Sequence, residues 1–255
     1  DGVFQLRFGD STYKDFSFTS ELNTLRHFVF TRSSGTIKLY VNGVEQSDNE
    51  SHSGDFVASR IGHTGYSIEG FIDEVSMFNS SMSTTQAQEL FNDGVALDAT
   101  THSKFIDTTD LLGGSYDFTN ATQWNQISNA NRTSATSITA TSDNGSIRTT
   151  TGSFESDTRL YKISIQGSVT TGNITLKSWG GQETWKTGIT GTFNETVYAT
   201  TSYGGLMIIL TANTAVATIT SLKIERQYCA GYWRNDGVTT WTDRSGVGNT
   251  GTVAG

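Results

Sequence analysis

The chain has 255 residues, 35% of them hydrophobic, and a formal charge of −8 from 17 basic and 25 acidic side chains. That length holds one large domain or two ordinary ones; the acidic balance argues against nucleic-acid binding, and no apolar run approaches the roughly 18 residues of a membrane span. Proline is absent and glycines number 27, so turns fall to Gly, Asn, Asp and Ser, and the many threonines favour strands: the composition of an all-β protein.

In chain order, residues 25–32 (LRHFVFTR) and 36–43 (TIKLYVNG) read as hairpin strands. In the second, Ile37, Leu39 and Val41 share one face while Lys38, Tyr40 and Asn42 share the other. Asn42-Gly43 is a two-residue turn signal, because both residues tolerate positive φ. SRIGHTG (59–65) and EGFIDEVSMFN (69–79) add strands. One short helix is expected near 84–92, with Ser83 and Gln86 as a capping box, Ala87, Leu90 and Phe91 on one face, and Gly94 just past its end. Residues 96–110 carry no period and read as a linker. From 111 to 227 the pattern is strands only, separated by Gly or Asn turns, which indicates a β-sandwich or jelly roll; Trp124 reads as core. The lone Cys229 excludes an internal disulfide framework and reads as a small buried hydrophobe beside Tyr228, Tyr232 and Trp233.

LRHFVFTRSSGTIKLYVNGVEQ, RIGHTGYSIEGFIDEVSMFN and MSTTQAQELFNDG, in that order, resemble the back half of a laminin-G-like, concanavalin A-type lectin domain over about Leu25–Gly94. The last segment, GYWRNDGVTTWTDRSGVGNTGTVAG, looks like the front of the same kind of domain: an aromatic strand, then an Asp-x-Ser-Gly-x-Gly-Asn turn. Residues 111–227 resemble the β-jelly-roll carbohydrate-binding modules of xylanases and phage structural proteins, through YDFTNATQW, RLYKISIQGSV and GLMIILTA…ATITSLKIER. The expected organisation is two antiparallel β-sandwich or jelly-roll modules in series: a partial lectin-like sandwich (1–95), a linker (96–110), a jelly roll (111–227) and the start of a further lectin-like domain (228–255). A window from a longer tandem array accounts best for a back half preceding a front half. Pairing with fragments of other chains, or a meeting of the two ends around the middle module, are the alternatives.

The resemblance implies a structural calcium, held by Asp73 together with the turn that carries Asp243 and Asn249, since calcium takes six or more oxygen ligands. In the jelly-roll family an acidic residue near the start of the final strand is linked to a calcium; Thr220 and Ser221 stand there instead. Concanavalin-type folds include glycoside hydrolases, which need two carboxyl groups facing one cleft. Asp73 and Glu74 are adjacent and point to opposite faces of a strand, and Glu155 and Asp157 lack a third carboxylate. There is no metalloprotease His-Glu motif, nucleophile elbow or phosphate loop, so no enzyme is expected. Sugar binding wants an aromatic face with amides nearby. Trp179, Gln182, Glu183, Trp185 and Tyr203 lie in or beside Gly-rich loops and form the expected glycan site. The expectation is a non-enzymatic virion surface protein, such as a phage tail fibre, head fibre or capsid decoration. Its partners would be a cell-surface or extracellular glycan, further copies of itself or other virion proteins. A secreted bacterial adhesin or an accessory carbohydrate-binding region of a polysaccharide-degrading enzyme, and a purely structural spacer, are the alternatives.

Overall fold

A computed structural model gives the fold and describes residues 2–8, 11–19, 21, 23–54, 61, 70–95, 97–112, 116–149, 159–179, 183–201, 204–235, 240–249 and 251–252. The protein is all-β with one short helix, as expected. It divides into two compact units, Asp1–Phe105 together with Cys229–Gly255, and Ile106–Tyr228.

In the first unit β1 (Gly2–Arg7) and β2 (Tyr13–Phe18) form an antiparallel hairpin, and β3 (Phe28–Ser33), β4 (Thr36–Val41) and β5 (Val44–Ser51) a three-stranded antiparallel sheet. Ser34-Gly35 and Asn42-Gly43 make the two tight turns, with φ of 48°, 82°, 49° and 74° in that order, the left-handed pair that matches strand twist. The alternation expected in β4 holds. Ile37, Leu39 and Val41 join Phe8 and Phe16 in one buried cluster, with Phe28 and Phe30 against it. Tyr40 lies on the opposite face with Val29, Met82 and Ala87. Ala87 belongs to α1 (Thr84–Phe91), which follows β6 (Val75–Phe78). The capping box is reciprocal: Gln86 N–H donates to Ser83 Oγ at 3.3 Å and Ser83 N–H to Gln86 Oε1 at 2.9 Å. The helix stops one residue earlier than expected, at left-handed Asn92 (φ 47°), and Gly94 closes the 3₁₀ turn that follows. Asn reaches that region at small cost because its short polar side chain bonds locally. SRIGHTG lies outside the described residues apart from Ile61.

The stretch expected as a linker is packed. Asp98 caps a 3₁₀ turn at Ala99–Thr101. His102 is buried; its Nδ1 accepts Lys104 N–H at 3.0 Å, so its proton sits on Nε2, 3.1 Å from Gln86 O. Ser103 donates to Glu89 from both its N–H and its hydroxyl. These bonds, invisible in a sequence without periodicity, tie 98–105 to the first unit.

The second unit begins with β7 (Ile106–Asp107) and runs through β8 (Trp124–Ser128), β9 (Ala130–Ser134), β10 (Ser137–Ala140), β11 (Gly145–Thr149), β12 (Arg159–Ser178), β13 (Thr184–Thr201), β14 (Leu206–Leu210) and β15 (Val216–Gln227). β12 is one strand of 20 residues and runs through Gly172-Asn173, a pair that reads as a Gly or Asn turn. Its first part pairs with β15, from Tyr161↔Arg226 to Val169↔Ala217. Its last part pairs with β14, from Ile174↔Leu210 to Ser178↔Leu206. One strand thus serves two sheet halves, β9-β10-β15-β12 and β8-β11-β14-β12, as strands at the corners of sandwiches do. The ladder with β13 breaks between Val169 and Ile174, where Gly172 has φ 70°; Gly188 (φ 70°) and Gly191 (φ 59°) sit opposite on β13. Bulges of this kind bend a strand and blunt an edge against further pairing; among the described residues β13 pairs with β12 alone. The core contains Trp124, Ile147, Tyr161, Ile163, Ile165, Ile174 and Ile208, each fully buried.

After the second unit the chain re-enters the first through β16 (Cys229–Trp233), β17 (Thr240–Trp241) and β18 (Gly251–Thr252). In the last segment, for which a further domain or a meeting of the two ends was open, β16 lies antiparallel on β6, with Tyr232 opposite Ser76 and Trp233 opposite Val75. The arrangement follows from chemistry: β6 offers its backbone ladder, and Cys229 and Tyr232 bury against Ala99 with Phe78 and Phe105 alongside. Burial pushes the Cys229 thiol up to about 12, the state of an inert packing residue.

Acid is expected to destabilise the first unit in two stages. Burial holds the His27 imidazole below its ordinary value. The Ser17 N–H on Asp48 and the Thr100 hydroxyl on Asp98 hold both carboxyls below theirs. A depressed folded value means stability that is complete above the unfolded value and is lost as pH falls through the folded one. Thermal midpoints should therefore be flat above about pH 6.5, fall gently below it as the unfolded chain protonates His27, and fall further below about pH 4. Scanning calorimetry from pH 8 to 3 checks this; midpoints that rise on acidification contradict it.

Candidate functional site

Two of the expected glycan residues, Trp179 and Glu183, lie between the end of β12 and the start of β13. Ser178 N–H donates to Glu183 O at 2.9 Å and Glu183 N–H to Ser178 Oγ at 2.8 Å, closing the loop that carries Trp179. Trp179 N–H donates to Gly205 O at 2.8 Å, which sets this loop beside the one before β14. Trp179 is half-buried, and the Arg148 guanidinium of β11 lies over its ring, 4.6 Å from the centroid. A cation over an indole face fixes the ring and takes that face from stacking. Glu183 Oε2 is buried with no hydrogen-bond partner among the described residues. Trp185 does not share this position: it packs against the jelly-roll core. Gln182 and Tyr203 lie outside the described residues. Arg148 was not expected. Alternation in GSIRT puts it on the outer face, but its meeting with Trp179 follows only from the strand order β11-β14-β12.

In the first unit a hollow of about 630 Å³ opens between the sheet and the start of α1. Its walls are mostly hydroxyls, among them Thr31, Ser33, Thr36 and Thr84, with Lys38 at one side. Lys38 Nζ pairs with Glu45 Oε1 at 2.7 Å, and Tyr40 OH donates to Glu45 Oε2 at 3.1 Å. The volume suits a small ligand. Among the described residues, though, Tyr40 is the one aromatic side chain that lines it, and at 2% exposure it offers no ring for stacking.

The residues expected to hold calcium meet in the first unit around β16. Asp243, 9% exposed, receives Tyr232 N–H at 3.0 Å and Ser245 N–H at 2.8 Å on Oδ1. Its Oδ2 receives Gly248 N–H at 3.0 Å and Asn249 N–H at 2.8 Å. Burial alone would raise this carboxyl; the Ser245 hydroxyl and the surrounding N–H groups outweigh it and hold Asp243 below the ordinary carboxylate range. Asn249 points its amide nitrogen at Ala230 O, 2.8 Å away, and its backbone carbonyl accepts Trp233 Nε1–H. Asp73 Oδ1 accepts Asn235 N–H at 2.7 Å and Glu74 N–H at 2.8 Å. The Glu74 carboxylate is held by Tyr232 OH and, at 2.7 Å, by Arg234 Nε. Burial, and then the Glu74 carboxylate, push the Tyr232 phenol well above its ordinary value. This set does not fit calcium. Two N–H donors on each Asp243 oxygen take the lone pairs a cation needs, and among the described residues no group of three His, Cys, Asp or Glu could hold a metal.

The same bonds bear on hydrolysis. Asp73 and Glu74, the adjacent carboxylates, are each tied to the incoming strand. Glu155 and Asp157 lie outside the described residues.

Residues 1–88 match the family described as the concanavalin A-like lectin/glucanases superfamily. The matched stretch takes in the hairpin, β6 and the first residues of α1, and excludes the jelly-roll unit and β16–β18. No curated protein and no solved structure matches the chain. The likeness is thus confined to part of the first unit.

Proposed function

We propose that the protein is a non-enzymatic attachment protein of a virion surface, a fibre or capsid decoration, whose two β-units bind glycans on a host or extracellular surface. The lectin-type match over residues 1–88 is the observation that carries the binding function. The non-catalytic reading draws support from Asp73 and Glu74, whose carboxylates are engaged in holding β16 rather than facing each other across a cleft. The Trp179 loop supplies the contact chemistry: an indole ring with the Arg148 guanidinium over it.

A glycan array probed with the full chain tests this. Binding to at least one glycan class is expected, weakened about tenfold by Trp179→Ala, or ~1.4 kcal/mol, with the thermal midpoint preserved. Binding kept by that variant but lost on filling the hollow with Thr36→Trp would move the site to the first unit. No binding to any glycan would overturn the proposal in favour of a structural spacer.

A further inference from the structure

The turn Asp243–Asn249 stands where the family resemblance implies calcium, yet its atoms are committed otherwise. Gly246 and Gly248 have φ of 87° and 96°, which curls the backbone so that successive N–H groups converge on one carboxylate, a nest for a negative group. Asp243 fills that nest from within the chain. One of its donors, Tyr232 N–H, belongs to β16 itself, and Arg244 N–H returns a bond to Tyr232 O at 2.7 Å. The turn is thereby riveted to the strand. The strand is riveted to β6 through the preceding loop, where Asp73 takes Asn235 N–H and Glu74 takes the Tyr232 hydroxyl and the Arg234 guanidinium. Asn235 Nδ2 adds a bond to Ile72 O at 3.1 Å. Glu74 makes its contacts from a left-handed backbone, φ 54°. That conformation is unfavourable for a residue with a long side chain and persists only where its surroundings fix it.

We infer that β16 and the Asp243–Asn249 turn are fastened to the lectin-like unit by a metal-free clasp, in which backbone N–H groups on Asp243 and the Tyr232 and Arg234 side chains on Glu74 take the place of a bound calcium ion. The segment docks without any ion, and its retention depends on these carboxylates.

Hydrogen exchange and thermal melting of the full chain, in 5 mM calcium chloride and in excess EGTA, test this (concentrations on the order of those that saturate extracellular calcium modules). The amides of Tyr232, Ser245, Gly248 and Asn249 are expected to be equally protected in both buffers, and the melting temperature unchanged. Asp243→Ala should lower protection of those four amides at least about tenfold in either buffer. If that variant does not fold, Glu74→Gln, which keeps the shape and removes the charge facing Arg234, should loosen the β16 amides alone. A melting temperature raised by calcium in the parent chain, with the rise abolished in Asp243→Ala, would overturn the inference, because a ligand that binds only the folded state must stabilise it. Unchanged protection in both variants would overturn it equally.

Discussion

Tyr232→Ala is expected to destabilise the first unit by ~4 kcal/mol, the range for removing a large buried aromatic. The side chain is 1% exposed and packs with Cys229 and Ala99. It also carries the hydroxyl that holds Glu74. Truncation therefore opens a cavity and strips one of the two side-chain partners of a left-handed carboxylate residue. Domain stabilities are commonly about 5–15 kcal/mol, so β16 should detach well before the rest of the unit melts. Tyr232→Phe separates the two contributions, since it keeps the ring and removes only the hydroxyl; its cost should be about 1–3 kcal/mol, that of an unsatisfied partner. Urea unfolding followed by tryptophan fluorescence, with Trp124, Trp179 and Trp185 of the second unit replaced by Phe so that Trp233 and Trp241 report alone, reads both. An alanine variant within about 1 kcal/mol of the parent would mean that β16 contributes little to the unit's stability.

Local chemistry made much of this fold legible. Asn42-Gly43 encodes its turn in two residues because both accept positive φ. Ser83 and Gln86 mark the helix start because their side chains reach each other's backbone. The even spacing of Ile37, Leu39 and Val41 assigns them to one core face. What failed was long-range. Gly172 looks like a turn between two strands, but in a sandwich it is also the residue that lets one strand bend between sheet halves. Residues 228–255 looked like an opening phrase. Nothing local to them reveals that β6, on the far side of the whole jelly-roll sequence, offers the ladder they occupy.

The site divides along the same line. Trp179 and Glu183 share one loop, so their proximity could be read directly. Arg148 could not be paired with Trp179 without the strand order. Asp243 and Asn249 look like cation ligands because side-chain identity announces oxygen donors. It does not announce which lone pairs the backbone has already taken, and here four N–H groups occupy those of Asp243.

Gly167→Ala should destabilise the second unit by about 3 kcal/mol, near the upper end for an overpacked core position. A Cβ at this position would lie 2.2 Å from Thr218 O, 3.0 Å from Ile219 Cα and 3.0 Å from Phe193 Cζ. Two of these atoms are backbone of β15 and cannot rotate away. The register between β12 and β15 shifts between Gln166 and Gly167, whose partners are Ser221 and Ile219, so the close approach is built into a bulge on β15. Relief would require β15 to move outward, loosening Ile219 and Leu222 from the shared core. The effect should differ in kind from that at Gly188, which has φ 70° but nothing within 4 Å of a Cβ. Alanine there meets only the left-handed backbone penalty, about 1 kcal/mol. Equilibrium unfolding of both variants distinguishes the two causes. A Gly167 variant no worse than the Gly188 variant would show that β15 yields easily, and that the corner of the jelly roll is held by the flanking strands rather than by this contact.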